Sequence, residues 1–155
     1  MISLKRILVP TDFSEPSMIA VRYAKELART FNASLQILHV MEDPNFAGWT
    51  VHGYSPTLPG VLKEIENHAS DSLNEIFTQT ELQELHVELI KKWGVPFVEI
   101  IRHAKTQETD LIVMGTHGRG AIKHILLGSV AERVVRKANC PVMTVRHPEH
   151  EFVMP

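Results

Sequence analysis

An open parallel α/β sheet is predicted by three observations. Apolar runs of strand length alternate along the chain with stretches of helical periodicity. Those runs are apolar on consecutive residues, the pattern of strands covered on both faces. Glycine gathers in one place: four of the eight lie from Gly115 to Gly128, directly after the apolar run "DLIVM".

The elements follow in order. The first strand lies in "RILVP", around Ile7–Val9. The first helix opens with Ser14 as its N-cap and Pro16 in the first turn, where proline costs no helical hydrogen bond. Ala20, Ala24, Leu27, Ala28 and Phe31 give it one apolar face. "SLQILHV", Ser34 to Val40, is the second strand. Residues 42–60 hold three prolines, three glycines and the aromatics Phe46 and Trp49, which reads as a long functional loop or partner surface. A long helix runs from about Pro59, marked by Leu62, Ile65, Ala69, Leu73 and Ile76. "HVELIKK" is the third strand, "PFVEIIRHAKTQ" a shorter helix and "DLIVM", Asp110 to Met114, the fourth strand. Ser129 to Ala138 is the last helix, with Val130, Val134 and Val135 expected inward. "PVMTVR", Pro141 to Arg146, is the fifth strand.

With 155 residues the chain is read as one domain over 1–147 and a C-terminal tail at 148–155. The net charge of -2 does not favour a polyanion, so no nucleic-acid partner is expected. A single Cys140, read as a small buried hydrophobe, excludes an internal disulfide and suits a reducing compartment. No apolar run approaches the ~18 residues of a membrane span, and the N-terminus is not signal-like. No membrane insertion and a cytoplasmic location are therefore expected. The nine histidines form no metal-ligand pattern, so no protein metal site is expected. His39, His68, His86 and His103 read as surface or satisfied core residues.

The glycine stretch fits neither standard phosphate loop. A Rossmann fingerprint follows the first strand, where this chain has "PTDFS". A Walker loop ends in Gly-Lys-Ser/Thr, whereas Ala121 and Ile122 follow Gly120. The underlying physics is still available. Glycines let backbone N–H groups approach a phosphate, and a helix N-terminus adds partial positive charge. Gly128 and Ser129 open the last helix, and Arg119 and Lys123 stand nearby in sequence. A phosphate cradle and a ligand-free tight turn with an N-cap are both compatible with the residues.

The spacing Gly115, Gly118, Gly128, Ser129 is a G-2x-G-9x-G-S pattern. It resembles the nucleotide loop of the ATP-binding branch of the universal stress protein family. "ILVPTDFSEPS", "DLIVMGTHGRG" and "LLGSVAERVVRKANCPVMTV" extend the resemblance over almost the whole chain. The resemblance implies a Rossmann-like sheet of five parallel strands in the order 3-2-1-4-5 with helices on both faces. It implies adenine and ribose at Pro10, Thr11, Asp12, Val40, Met114 and Gly115, with Asp12 accepting from ribose hydroxyls. It implies phosphates at Gly118, Arg119, Gly120, Gly128, Ser129 and Val130, and ATP as ligand, with Mg²⁺ carried on its phosphates. Asp12 as a helix cap, and His117 as a phosphate contact or a polar turn residue, stay open. A homodimer through the last strand, Pro141–Arg146, is also implied, and the 42–60 loop, with Phe46 and Trp49, reads as a surface that a further protein partner could recognise.

Three functions compete. One is an ATP-binding regulatory module in stress physiology, with little or no hydrolysis. Another is an enzyme of related architecture, a slow ATP hydrolase or a nucleotide-utilising transferase. An ATP pyrophosphatase or an adenylyl transferase usually carries a phosphate-binding signature after the first strand, "SGGxDS" or "HxGH", and "PTDFS" is neither. The third is an interaction module with an empty site. No acid lies between Gly115 and Val130 to position an attacking water, and His117 is the one nearby candidate base. The intact glycine pattern favours the first.

Overall fold

The computed structural model describes residues 3–43, 59–116 and 127–146. Five strands, β1 (Arg6–Pro10), β2 (Ser34–Met41), β3 (Val87–Trp93), β4 (Leu111–Gly115) and β5 (Val142–Val145), form one sheet. Every neighbouring pair is parallel, and the order is β3-β2-β1-β4-β5, as expected. The helices are α1 (Glu15–Phe31), α2 (Pro59–Asn74), α3 (Gln79–Glu84), α4 (Pro96–Thr106) and α5 (Ser129–Lys137). None of these is long and apolar enough to cross a membrane.

Alternation along each strand builds two cores. Ile7, Val9, Leu35, Ile37 and Val113 face α1 and α2, where Ala20, Ala24, Ala28 and Leu73 close the layer. Leu8, Leu38, Ile112 and Met114 face α4 and α5, against Ile100, Ala104, Ala131 and Val134. Cys140 is half-buried and packs against this second core. Burial shifts its thiol pKa upward, with the Asp110 charge acting in the same direction, which keeps it a protonated spacer.

Two helix-face expectations need correction. Phe31, the last residue of α1, is exposed, because the alanines before it have already filled the groove over the sheet. Val135 is exposed as well; Ala131 and Val134 hold the inward stripe of α5, and Val135 lies about 100° round from Val134. Helix α3 was not expected. Thr78 accepts the N–H of Glu81 at 3.2 Å while the Glu81 carboxylate accepts the N–H of Thr78 at 2.9 Å, a reciprocal capping box. Lys25 of α1 then holds this short helix through Glu81 at 2.9 Å.

At the amino ends of the strands, Asp110 fixes β4 beside β1. Its Oδ2 accepts the backbone N–H groups of Lys5 and Arg6, each at 2.8 Å. The opposite, carboxyl ends are left for the loops that follow.

Candidate functional site

At the carboxyl ends of the strands lies a cavity of about 790 Å³. It opens where the strand order reverses between β1 and β4, the place at which open α/β sheets leave a crevice. Pro10, Thr11, Asp12, Val40, Met114, Gly115, Gly128, Ser129 and Val130 all line it. Thus four separated segments of the chain meet at one surface. His117, Gly118, Arg119 and Gly120 lie outside the described residues, as do Lys123, Phe46, Trp49 and the tail.

The turn after β1 is held by its own hydrogen bonds. Ser17 donates its hydroxyl to the Ser14 carbonyl at 2.9 Å, so the Thr11 hydroxyl is the donor in the 2.9 Å contact with Ser17. Thr11 Oγ1 in turn accepts the N–H of Phe13 at 3.0 Å. Phe13 takes a left-handed φ of 63°, and its ring stands 4.4 Å from that of His39. The Thr11 carbonyl can only accept, so the 2.8 Å contact with His39 places a proton on Nδ1. Asp12 Oδ1 accepts the N–H of Ser14 at 3.0 Å, together with its hydroxyl. That bond closes a turn ahead of α1, whose N-cap is Ser14 rather than Asp12.

Gly115 ends β4 against the start of α1. A Cβ there would fall 2.8 Å from the carbonyl carbon and oxygen of Pro16 and 3.1 Å from the nitrogen of Ser17. Close helix-to-strand approach, not a reversed backbone, is what requires glycine. Thr116 then donates its N–H to Val145 at 3.1 Å, and its carbonyl accepts from Gly128 N–H at 2.6 Å. This second bond brings the two ends of the glycine-rich segment together at the mouth of the cavity.

Gly128 is the N-cap of α5 and has no side chain with which to cap it. The first-turn N–H groups of a helix need an acceptor from elsewhere. Here those of Ser129, Val130 and Ala131 belong to residues on the cavity wall. The N-caps of α1 and α4 likewise make no side-chain cap, and both helices have proline in the first turn. Much of the rest of the wall is apolar: Val40, Ile100 and Met114 join Val95, Pro96 and Phe97. One cavity therefore offers N–H donors with positive helix-end charge and an apolar slot.

Several lining residues were not anticipated. Val95, the N-cap of α4, and Pro96 and Phe97, its first two residues, come from the chain that follows β3. In a parallel sheet every strand's carboxyl end faces the same way, so this stretch belonged with the other three from the start. His39, Glu42 and Arg133 also line the cavity. His39 adjoins Val40 in a strand end already assigned, and Arg133 is one helical turn from Ser129.

The universal stress protein family model matches residues 3–146. Universal stress protein MJ0531 of Methanocaldococcus jannaschii is 36% identical over 147 residues, covering 95% of this chain and 85% of its own. The solved structure of MJ0577, from the same organism, superposes with a TM-score of 0.80 at 31% identity, over 96% of this chain and 99% of that one. A universal stress protein solved in complex with cAMP aligns with a TM-score of 0.65 at 25% identity, over 94% of this chain and 98% of that one. With a family match spanning nearly its whole length and relatives above 30% identity, the chain belongs to the universal stress protein family.

Proposed function

We propose that the cavity holds an adenine nucleotide, ATP carried with Mg²⁺, and that the chain is a nucleotide-dependent regulatory module of stress responses. The observation that carries this is the uncapped start of α5, which opens with a glycine onto a cavity that is also lined by apolar side chains. An anion is stabilised at such a helix end, and a flat base in the apolar slot. The volume of about 790 Å³ lies in the range of small-molecule sites. The cAMP complex of a related protein supports an adenine ligand in this family. Asp12, Glu42 and Ser129 put oxygen donors on the wall, which suits Mg²⁺ held mainly by phosphate oxygens and water.

The nucleotide is held rather than consumed. N–H donors and basic side chains stabilise the polyphosphate in its ground state, whereas rate acceleration needs interactions stronger in the transition state. ATP with Mg²⁺ at ~100 times its Kd raises stability by about 2.7 kcal/mol on this reading. No rise in Tm at millimolar ATP contradicts it. Turnover at or above about 1 per second replaces the regulatory module by an ATP hydrolase.

The module works as a homodimer through Pro141–Arg146. β5 is the edge strand beside β4, and Val142 and Met143 on it are half-buried rather than covered. Met143→Lys gives monomers by sedimentation, and wild-type protein that is already monomeric at high micromolar concentration refutes the dimer.

A further inference from the structure

Arg133 lines the cavity from the second turn of α5, and its guanidinium lies over the Phe97 ring, 4.8 Å from the centroid. Lys137, one turn further, stands 5.7 Å from the same centroid. Between them, Arg136 is neutralised by Glu132 at 3.0 Å. Arg133 makes no ion pair among the described residues. It is also the one Lys or Arg on the described cavity wall, which carries the carboxylates of Asp12 and Glu42 as well.

That balance has a consequence for a polyphosphate. Among the described wall residues Asp12 and Glu42 repel a polyphosphate and Arg133 alone of the Lys and Arg side chains attracts it, beside the helix-end dipole of α5. Side chains on a helix lean toward its N-terminus. Ser129 and Val130 stand one turn before Arg133 on the same helix face, within the sweep of its long side chain when it leaves Phe97. The Phe97 ring gives the guanidinium a resting place through its π-face without an acid that would compete for it. A phosphate group, which accepts two N–H donors of a guanidinium at once, outcompetes a ring face.

We propose that Arg133 is the residue that reads the phosphate chain in this cavity, resting on Phe97 until a phosphate takes it. The assignment rests on the nucleotide reading above and adds a specificity to it. Arg133 makes the site prefer a nucleoside polyphosphate over the bare nucleoside, while the apolar slot is indifferent to the chain.

The test is calorimetric titration of the full chain with three probes: ATP with Mg²⁺, adenosine and inorganic tripolyphosphate. It compares wild type with Arg133→Gln and Arg133→Lys. Arg133 is exposed, so neither substitution disturbs the core. Arg133→Gln is expected to weaken ATP and tripolyphosphate about tenfold, the factor set by one charge-assisted contact, and to leave adenosine within about twofold. Arg133→Lys recovers part of the loss, since it keeps the charge but not the fork. Equal weakening of ATP and adenosine overturns the proposal, because Arg133 would then act by supporting the Phe97 wall. Unchanged ATP affinity overturns it too. Wild-type protein that takes tripolyphosphate through Arg133 but gains nothing from adenine leaves Arg133 standing and overturns the nucleotide reading. Wild-type protein that takes none of the three overturns both.

Discussion

At Gly115 a Cβ would meet the Pro16 main chain at 2.8 Å. At Gly128 the backbone has φ -65° and ψ 156°, a conformation open to any residue. Both belong to one spacing pattern, yet they are glycine for different reasons. The first lets α1 lie against the end of β4, a demand of the fold. The second leaves the start of α5 without a side-chain cap, which the fold alone does not favour, since Ser, Asn or Asp would stabilise that helix. Of the described glycines in that pattern, Gly115 answers to packing, whereas the fold supplies no such reason for Gly128.

The largest effect that separates the two is expected at the packing glycine. Gly115→Val forces α1 away from β4 and costs about 1–3 kcal/mol, as overpacking does. At this chain length each 1 kcal/mol lowers Tm by about 2–4 °C. Thermal unfolding without any nucleotide measures it. A variant as stable as wild type would show that the contact with Pro16 relaxes freely and return Gly115 to the ligand.

A smaller effect comes from α4 and weakens the fold away from the cavity. His103 is buried, with Nε2 3.2 Å from Gln36 Oε1, and Gln36 donates to Glu88 at 2.8 Å. Gln36 thus offers His103 an acceptor, which fixes the proton on Nε2 in the neutral ring. Burial lowers the His103 pKa below its ordinary 6.5, Lys92 lowers it further, and Glu88 opposes them. Below pH 6.5 the unfolded chain therefore binds more protons than the folded one. The stability tied to neutral His103 is complete above that pH and is lost as pH falls through the lowered folded value. Urea unfolding at several pH values should show this acid loss reduced in His103→Gln. An identical pH dependence in the variant would remove His103 as its source.

The sequence made the sheet legible because its three central strands, β2, β1 and β4, are buried on both faces. "RILVP" and "DLIVM" have no polar alternation to confuse them with surface. It made the site legible where a loop carries unusual residues: "PTDFS" after β1 and the glycines after β4. It did not reveal Phe97, Glu42 or Arg133, which are ordinary residues of a helix start, a strand end and a helix flank. They become wall residues only when the turns after all four strands are brought to one end of the sheet. Helix α3 was missed although Thr78 and Glu81 carry a capping-box spacing, because six residues hold too little periodicity to stand out. Val135 faces solvent, against expectation, because composition marks a residue as apolar without saying which side of the helix it takes.

The claim that α5 was left uncapped for a ligand is tested most directly at Gly128. Gly128→Asp supplies the missing cap and a negative charge at a helix N-terminus, which stabilises α5 by up to about 1 kcal/mol. The same carboxylate stands where a phosphate must approach. ATP with Mg²⁺ titrated into wild type and Gly128→Asp, with the stability of each measured alongside, reads both consequences at once. The predicted result is saturable one-to-one binding in wild type, and at least tenfold weaker binding in a variant no less stable. Undiminished ATP binding by a stable Gly128→Asp, or none by wild type, would contradict the account.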